Sequence, residues 1–128
     1  MPVAIRAGTR PSRLALKQAE EIKGYLPQVD LKIVTIETAG DKDKKTSLQD
    51  KENTNFFTYE LERALLNKKI DIAVHSAKDL APDMMPRGLV IAALTKSISR
   101  AECLVSKDNV TLEKLPADSR IGTSSRKR

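Results

Sequence analysis

Val3-Ala4-Ile5-Arg6-Ala7 and Leu31-Lys32-Ile33-Val34-Thr35-Ile36 are short runs rich in branched apolar residues, with a helix-length segment between them. The first run closes in Gly8-Thr9-Arg10-Pro11-Ser12. In the intervening segment Leu14, Leu16, Ala19, Ile22 and Leu26 recur near one helical stripe. Ser12 is placed to cap that helix and Pro27 to stop it. The second run reads as a strand buried on both faces. Strand, helix and strand in this order predict a βαβ unit, and so an α/β fold.

Working outward, Ile70-Asp71-Ile72-Ala73-Val74 predicts a further strand, which runs directly into His75-Ser76-Ala77-Lys78-Asp79. In open α/β sheets, ligands bind beyond the carboxyl ends of the strands. A strand ending in four polar or ionisable side chains is therefore a candidate site. A polar strand exit serving only as turn chemistry is the alternative. His75, the single histidine of the chain, reads as a packed strand-end residue more readily than as a catalyst.

The remaining pattern is uneven. Residues 38–55 are polar around Asp41-Lys42-Asp43-Lys44-Lys45 and predict a long mobile loop. Phe56, Phe57, Leu61, Ala64, Leu65 and Leu66 predict an amphipathic helix ending at Asn67-Lys68-Lys69. After a turn over residues 82–88, Leu89–Leu94 reads as another strand. A second phase begins near Lys96, with strands expected at Glu102–Val105 and Arg120–Gly122 and one helical turn over Thr111–Leu115, before Pro116. The chain then enters a fresh helix start and reads as interrupted within an element.

The 128 residues carry 23 basic and 17 acidic groups, a net charge of +6. Residues 96–128 hold 8 of the bases and 4 of the acids, ending in Arg126-Lys127-Arg128. This balance favours anionic partners. Two Phe, two Tyr and no Trp offer no base-stacking platform, and neither a zinc pattern nor a helix-turn-helix signature is present. Nucleic acid is accordingly not expected. No apolar run approaches a membrane span, and no signal peptide is evident, so a cytoplasmic location is expected. One cysteine excludes an internal disulfide. Cys103, within Cys103-Leu104-Val105, reads as a small buried hydrophobe.

Four polar clusters stand at predicted strand ends: Thr9-Arg10-Pro11-Ser12, Thr38-Ala39-Gly40-Asp41, His75–Asp79 and Gly122-Thr123-Ser124-Ser125. Arg10 and Ser12 lie at a helix N-terminus, where free N–H groups favour an anion, and Arg10 adds a fork suited to carboxylate or phosphate. Ser12 as a simple cap is the plain alternative. The last cluster repeats the device ahead of a basic triplet. Two anion cradles suggest a ligand with several negative groups. Asp79 is the candidate for acid–base or cation-stabilising work.

These clusters also carry a family resemblance. Ala7-Gly8-Thr9-Arg10-Pro11-Ser12-Arg13-Leu14-Ala15-Leu16 resembles the opening signature of the porphobilinogen deaminases, also called hydroxymethylbilane synthases. Glu60-Leu61-Glu62-Arg63-Ala64-Leu65-Leu66, Asp71–Asp79 and Gly122–Ser125 match in order and spacing, and the resemblance runs from Ile5 to Arg128. It implies a three-domain protein whose first two domains resemble type II periplasmic binding proteins, each α/β with a mixed, mainly parallel sheet flanked by helices, with the active site in the cleft between them. Residues 1–95 would be an incomplete first domain, and 96–128 a crossover and the beginning of the second.

The resemblance also implies a cytoplasmic tetrapyrrole-biosynthetic transferase, monomeric as the family suggests. It would join four porphobilinogen molecules into hydroxymethylbilane, with loss of ammonia, on a dipyrromethane cofactor. By position Asp79 would be the catalytic carboxylate. Arg10, Ser12, Ser76, Lys78, Thr123 and Ser125 would bind acetate and propionate groups, and Lys127 and Arg128 fall where the family has an arginine pair. Asn53-Thr54-Asn55-Phe56-Phe57 replaces a glycine- and lysine-bearing run, and Tyr59 replaces a lysine, so two basic contacts are missing. Ala101 stands where an arginine is usual. The cysteine that anchors the cofactor would belong to the third domain, absent here, and Cys103 does not match it. The chain alone is expected to be inactive. A non-enzymatic carboxylate-binding module is the rival reading, and it leaves the Lys78-Asp79 pair without a purpose.

Overall fold

The computed structural model describes residues 2–46, 55–99 and 101–123. The chain divides into two compact units, Met1–Ala92 and Ala93–Arg128.

The first unit is α/β. Strand β1 (Val3–Thr9) leads into helix α1 (Arg13–Tyr25), and strand β2 (Val29–Thr35) follows. A four-residue helix, α2 (Ala39–Lys42), precedes helix α3 (Tyr59–Leu66) and the short strand β3 (Ile72–Ala73). The sheet order is β2-β1-β3, and both pairings are parallel, with Val3 opposite Val29 and Ala7 opposite Ile72. Parallel neighbours need crossovers, which α1 supplies between β1 and β2. The Ser12 hydroxyl accepts from the Ala15 amide at 3.2 Å, the expected cap.

β1 is central, and its C-terminal half is where the core lies. Ala7 and Thr9 are buried, together with Leu61, Ala64 and Ile70 from the α3–β3 arm and Ala19 from α1. Small residues on β1 allow this. A Cβ on Gly8 would collide with the Ile70 side chain and touch Leu61. The Ile70 side chain thus packs against bare backbone, and glycine is required there by close approach. The α1 stripe is shifted from its expected phase: Ala15 and Ala19 are buried, while Leu14 is 64% exposed.

Several expected strands are not formed. β2 is not buried on both faces: only Leu31 is fully enclosed, and Asp30, Lys32 and Thr35 face solvent. The strand expected over residues 70–74 reduces to two paired residues, although Asp71 N–H still reaches Arg6 O and Val74 N–H reaches Gly8 O, each at 2.9 Å. Leu89–Leu94 has the predicted apolar residues but no ladder, and Val90 is 82% exposed. Strands are made by pairing, which a local apolar pattern cannot supply. Glu102–Val105 and Arg120–Gly122 fail as strands for the same reason.

The second unit holds 3₁₀ turns at Lys107–Asn109 and Leu112–Lys114, the latter within the expected helical turn over Thr111–Leu115. Cys103 is exposed and not buried, because the run around it is unpaired. Part of the loop expected over 38–55 is a capped helix, α2; residues 47–54 lie outside the described residues. No described helix is long and apolar enough to cross a membrane.

Candidate functional site

Because β1 and β3 are parallel and adjacent, the segments leaving them emerge at the same edge of the sheet. Gly8 pairs with Ala73, so Arg10–Ser12 and His75–Asp79 leave the sheet close together. They line one cavity of about 150 Å³. Arg10, Ser12, Ser76, Lys78 and Asp79 all reach it, and so does His75. Five of the predicted site residues thus share one wall. Thr123 sits in the second unit, where it lines a depression with Glu102, Cys103 and Arg120. Ser125, Lys127 and Arg128 lie outside the described residues.

The turn after β3 explains the order of functional groups. Ser76 is extended, and a 3₁₀ turn over Ala77–Asp79 follows, closed by Asp79 N–H to Ser76 O at 2.9 Å. The Ser76 hydroxyl lies 2.9 Å from Gln18 Nε2 and 3.2 Å from Gln18 Oε1, which ties the turn to α1. Lys78 is exposed and makes no ion pair among the described residues. His75 is half-buried. Burial lowers its pKa, Asp79 works in the opposite direction, and the Arg10 charge adds to the lowering. The net effect favours the neutral imidazole.

Arg10 is held in place. Its Nε donates to Asp41 Oδ1 at 3.0 Å, and Nη2 donates to the same oxygen. Its guanidinium carbon lies 4.0 Å from the centroid of the Phe57 ring, a cation–π contact. Asp41 Oδ2 accepts from Thr38 N–H at 3.0 Å and from the Thr38 hydroxyl at 2.7 Å, completing a capping box at the start of α2. Burial pushes the Asp41 pKa up, but hydrogen bonds from Arg10 and Thr38 outweigh it and hold the carboxyl below its ordinary value.

Gln18 and Phe57 are thus parts of the site that the sequence did not assign, and Asp41, which stood in one of the four polar clusters, was given no role there. Thr38-x-x-Asp41 has the spacing of a capping box and could have been found. Gln18, a polar residue on the α1 face that carries Ala15 and Ala19, was a weaker signal. Nothing local marks Phe57.

The fold and this cavity define a class: an α/β protein presenting cations, hydroxyls and one carboxylate at the C-terminal ends of parallel strands, suited to an anionic small molecule. The family model described as "Porphobilinogen deaminase, dipyromethane cofactor binding domain" matches residues 5–128, and the chain belongs to the porphobilinogen deaminase family. The porphobilinogen deaminase of Desulforamulus reducens is 43% identical over 128 residues, covering 97% of this chain and 41% of the relative. That of Brevibacillus brevis is 39% identical, covering 96% and 41%. That of Chloroherpeton thalassium is 42% identical, covering 100% and 42%. The chain therefore spans about two fifths of the length of these curated relatives.

Proposed function

We propose that this chain supplies the catalytic carboxylate and part of the carboxylate-binding surface of a hydroxymethylbilane synthase, which condenses four porphobilinogen molecules with release of ammonia. One observation carries the reading: Arg10, Ser12, Ser76, Lys78 and Asp79 converge on a single cavity in a chain of this family. The reading also takes the α/β unit as type II periplasmic-binding-protein-like, with residues 1–95 in a first domain and 96–128 in a crossover and the start of a second.

The donor set fits a dipyrromethane bearing acetate and propionate groups. Such a ligand needs cations and hydroxyls for its acids and one carboxylate for its pyrrole N–H groups, and the cavity offers both. When bound, dipyrromethane supplies the pyrrole carbon on which the product chain is extended. Asp79 accepts hydrogen bonds from pyrrole N–H groups, and its charge stabilises the substrate ring as it becomes cationic on loss of ammonia. A preorganised charge of this kind lowers a barrier by roughly 3 kcal/mol. Arg10, Lys78, Ser12 and Ser76 orient the ring by its acids. Thr123, Ser125, Lys127 and Arg128 are assigned to further carboxylates by their match to the family motif. Cys103 is not assigned as the cofactor attachment.

The test is a chimera in which residues 1–128 replace the matching segment of the Desulforamulus reducens enzyme. It should form hydroxymethylbilane, and Asp79→Asn should lower turnover at least about a hundredfold while porphobilinogen still binds. Undiminished turnover by Asp79→Asn refutes the role of Asp79. A folded parent chimera that binds porphobilinogen without turnover favours a binding module instead.

A further inference from the structure

The carboxylate-binding role of Arg10 leaves unexplained why the guanidinium already holds an acid. Asp41 occupies its Nε–Nη2 edge, and one face lies on Phe57. Among the described residues Nη1 has no hydrogen-bond partner, and Arg10 still lines the cavity. A competitor awaiting displacement would be loosely held. Asp41 is not. Its Oδ2 is bonded twice by Thr38, and its helix is tied down by Gly40 N–H to Phe56 O and by Ala39 N–H to Glu60 Oε1, each 2.9 Å. A Cβ on Gly40 would strike the Phe57 ring, so α2 rests on the ring that also carries Arg10.

From this geometry we infer that Asp41 is a positioning residue, a fixed post that turns the Nη1 edge of Arg10 toward the cavity to receive a ligand carboxylate. The inference rests on the proposed carboxylate-binding role of Arg10. It also divides the electrostatics of the site. Asp41 offsets the charge of Arg10, which then contributes direction, while Lys78, without an ion pair among the described residues, contributes net attraction. A planar fork restrained on one edge and one face loses little freedom on binding.

The test uses the 128-residue chain with ¹⁵N-labelled arginine and porphobilinogen as the probe. In the wild type the Arg10 Nε–H should exchange slowly with solvent. Asp41→Asn should speed that exchange about tenfold or more and weaken porphobilinogen about tenfold, within the coupling expected for groups in contact. Asp41→Glu should restore part of both. Thr38→Ala removes one of the two Thr38 bonds to Asp41 but leaves the carboxylate, and it should speed exchange and weaken porphobilinogen clearly less than Asp41→Asn does. In an Arg10→Ala background, Asp41→Asn should change porphobilinogen affinity no further.

Unchanged exchange in Asp41→Asn overturns the inference. So does an equal affinity loss in Thr38→Ala, which would make Asp41 only a helix cap, or an undiminished effect of Asp41→Asn in the Arg10→Ala background. If instead the wild type shows fast, Asp41-independent changes in exchange, the post does not exist. If Arg10→Ala leaves porphobilinogen affinity unchanged, the ligand role of Arg10 fails, and with it the positioning of Arg10 for a ligand, even where the exchange result stands.

Discussion

Two arginine–aspartate pairs flank β1, and they differ in almost everything except composition. Arg6 lies within the strand and grips Asp71 at the head of β3, with Nε to Oδ2 at 2.9 Å and Nη2 to Oδ1 at 2.8 Å; the Arg6 amide also donates to Oδ2 at 2.8 Å. Both side chains are over 40% exposed. Arg10 lies just beyond the strand and grips Asp41, with the two side chains 20% and 11% exposed. The first pair joins neighbouring strands in water. The second joins a site arginine to a capped helix and an aromatic ring. Exposed pairs are screened, whereas enclosed ones leave an uncompensated charge when broken, so the same chemistry has a fastening role in one place and an orienting role in the other.

That contrast can be broken from its stronger side first. Asp41→Ala removes the cap of α2 and leaves the Arg10 charge partly enclosed. It should destabilise the first unit by roughly 2 kcal/mol, between the values typical of exposed and buried pairs, as read from urea midpoints. A loss indistinguishable from zero would place this pair with the exposed one. Gly40→Ala leaves both charges intact but drives a methyl into Phe57. It should cost about 1–2 kcal/mol by overpacking and perturb the Arg10 Nε–H signal, which a purely electrostatic role for α2 would leave untouched.

The smallest effect belongs to Asp71→Asn, whose cost should fall further in molar salt while that of Asp41→Ala persists. It should also depend on pH. Hydrogen bonds from Arg6 hold the Asp71 carboxyl at about 2, below the ordinary 3.8. A depressed carboxylate stabilises fully above its unfolded pKa, and this contribution is lost as pH falls through the folded value. Wild type and Asp71→Asn should therefore differ most above pH 4, and the gap should shrink steadily as pH falls towards 2. A gap undiminished at pH 2 would show that the carboxylate charge is not its source.

Much of the first unit was legible because its signals are local. Ser12 caps α1 as its position suggests, and β1, α1, β2 and α3 fall where the apolar pattern places them, apart from a phase shift on α1 and a later start of α3, which leaves Phe56 and Phe57 in the turn before it. Residues 89–94, 102–105 and 120–122 show the limit, since their local pattern also reads as strand and yet they form no ladder among the described residues. Periodicity reports which residues favour a strand, whereas a strand needs a partner.

The site divides in the same way. Sequence alone singled out Asp79, Lys78, Ser76, Arg10 and Ser12 as candidates, because they stand in motifs at strand ends, and that position follows from chain order. Only the tertiary structure decided how they are presented. The parallel β1–β3 pairing brings residues 10–12 and 75–79 to one cavity, across more than sixty positions of chain. The partners that aim them come from elsewhere, Gln18 from α1 and Asp41 and Phe57 from around α2 and α3. The physical reason is range: propensity and capping act within a turn or two of the backbone, while the direction of a guanidinium is set by whatever the fold packs against it.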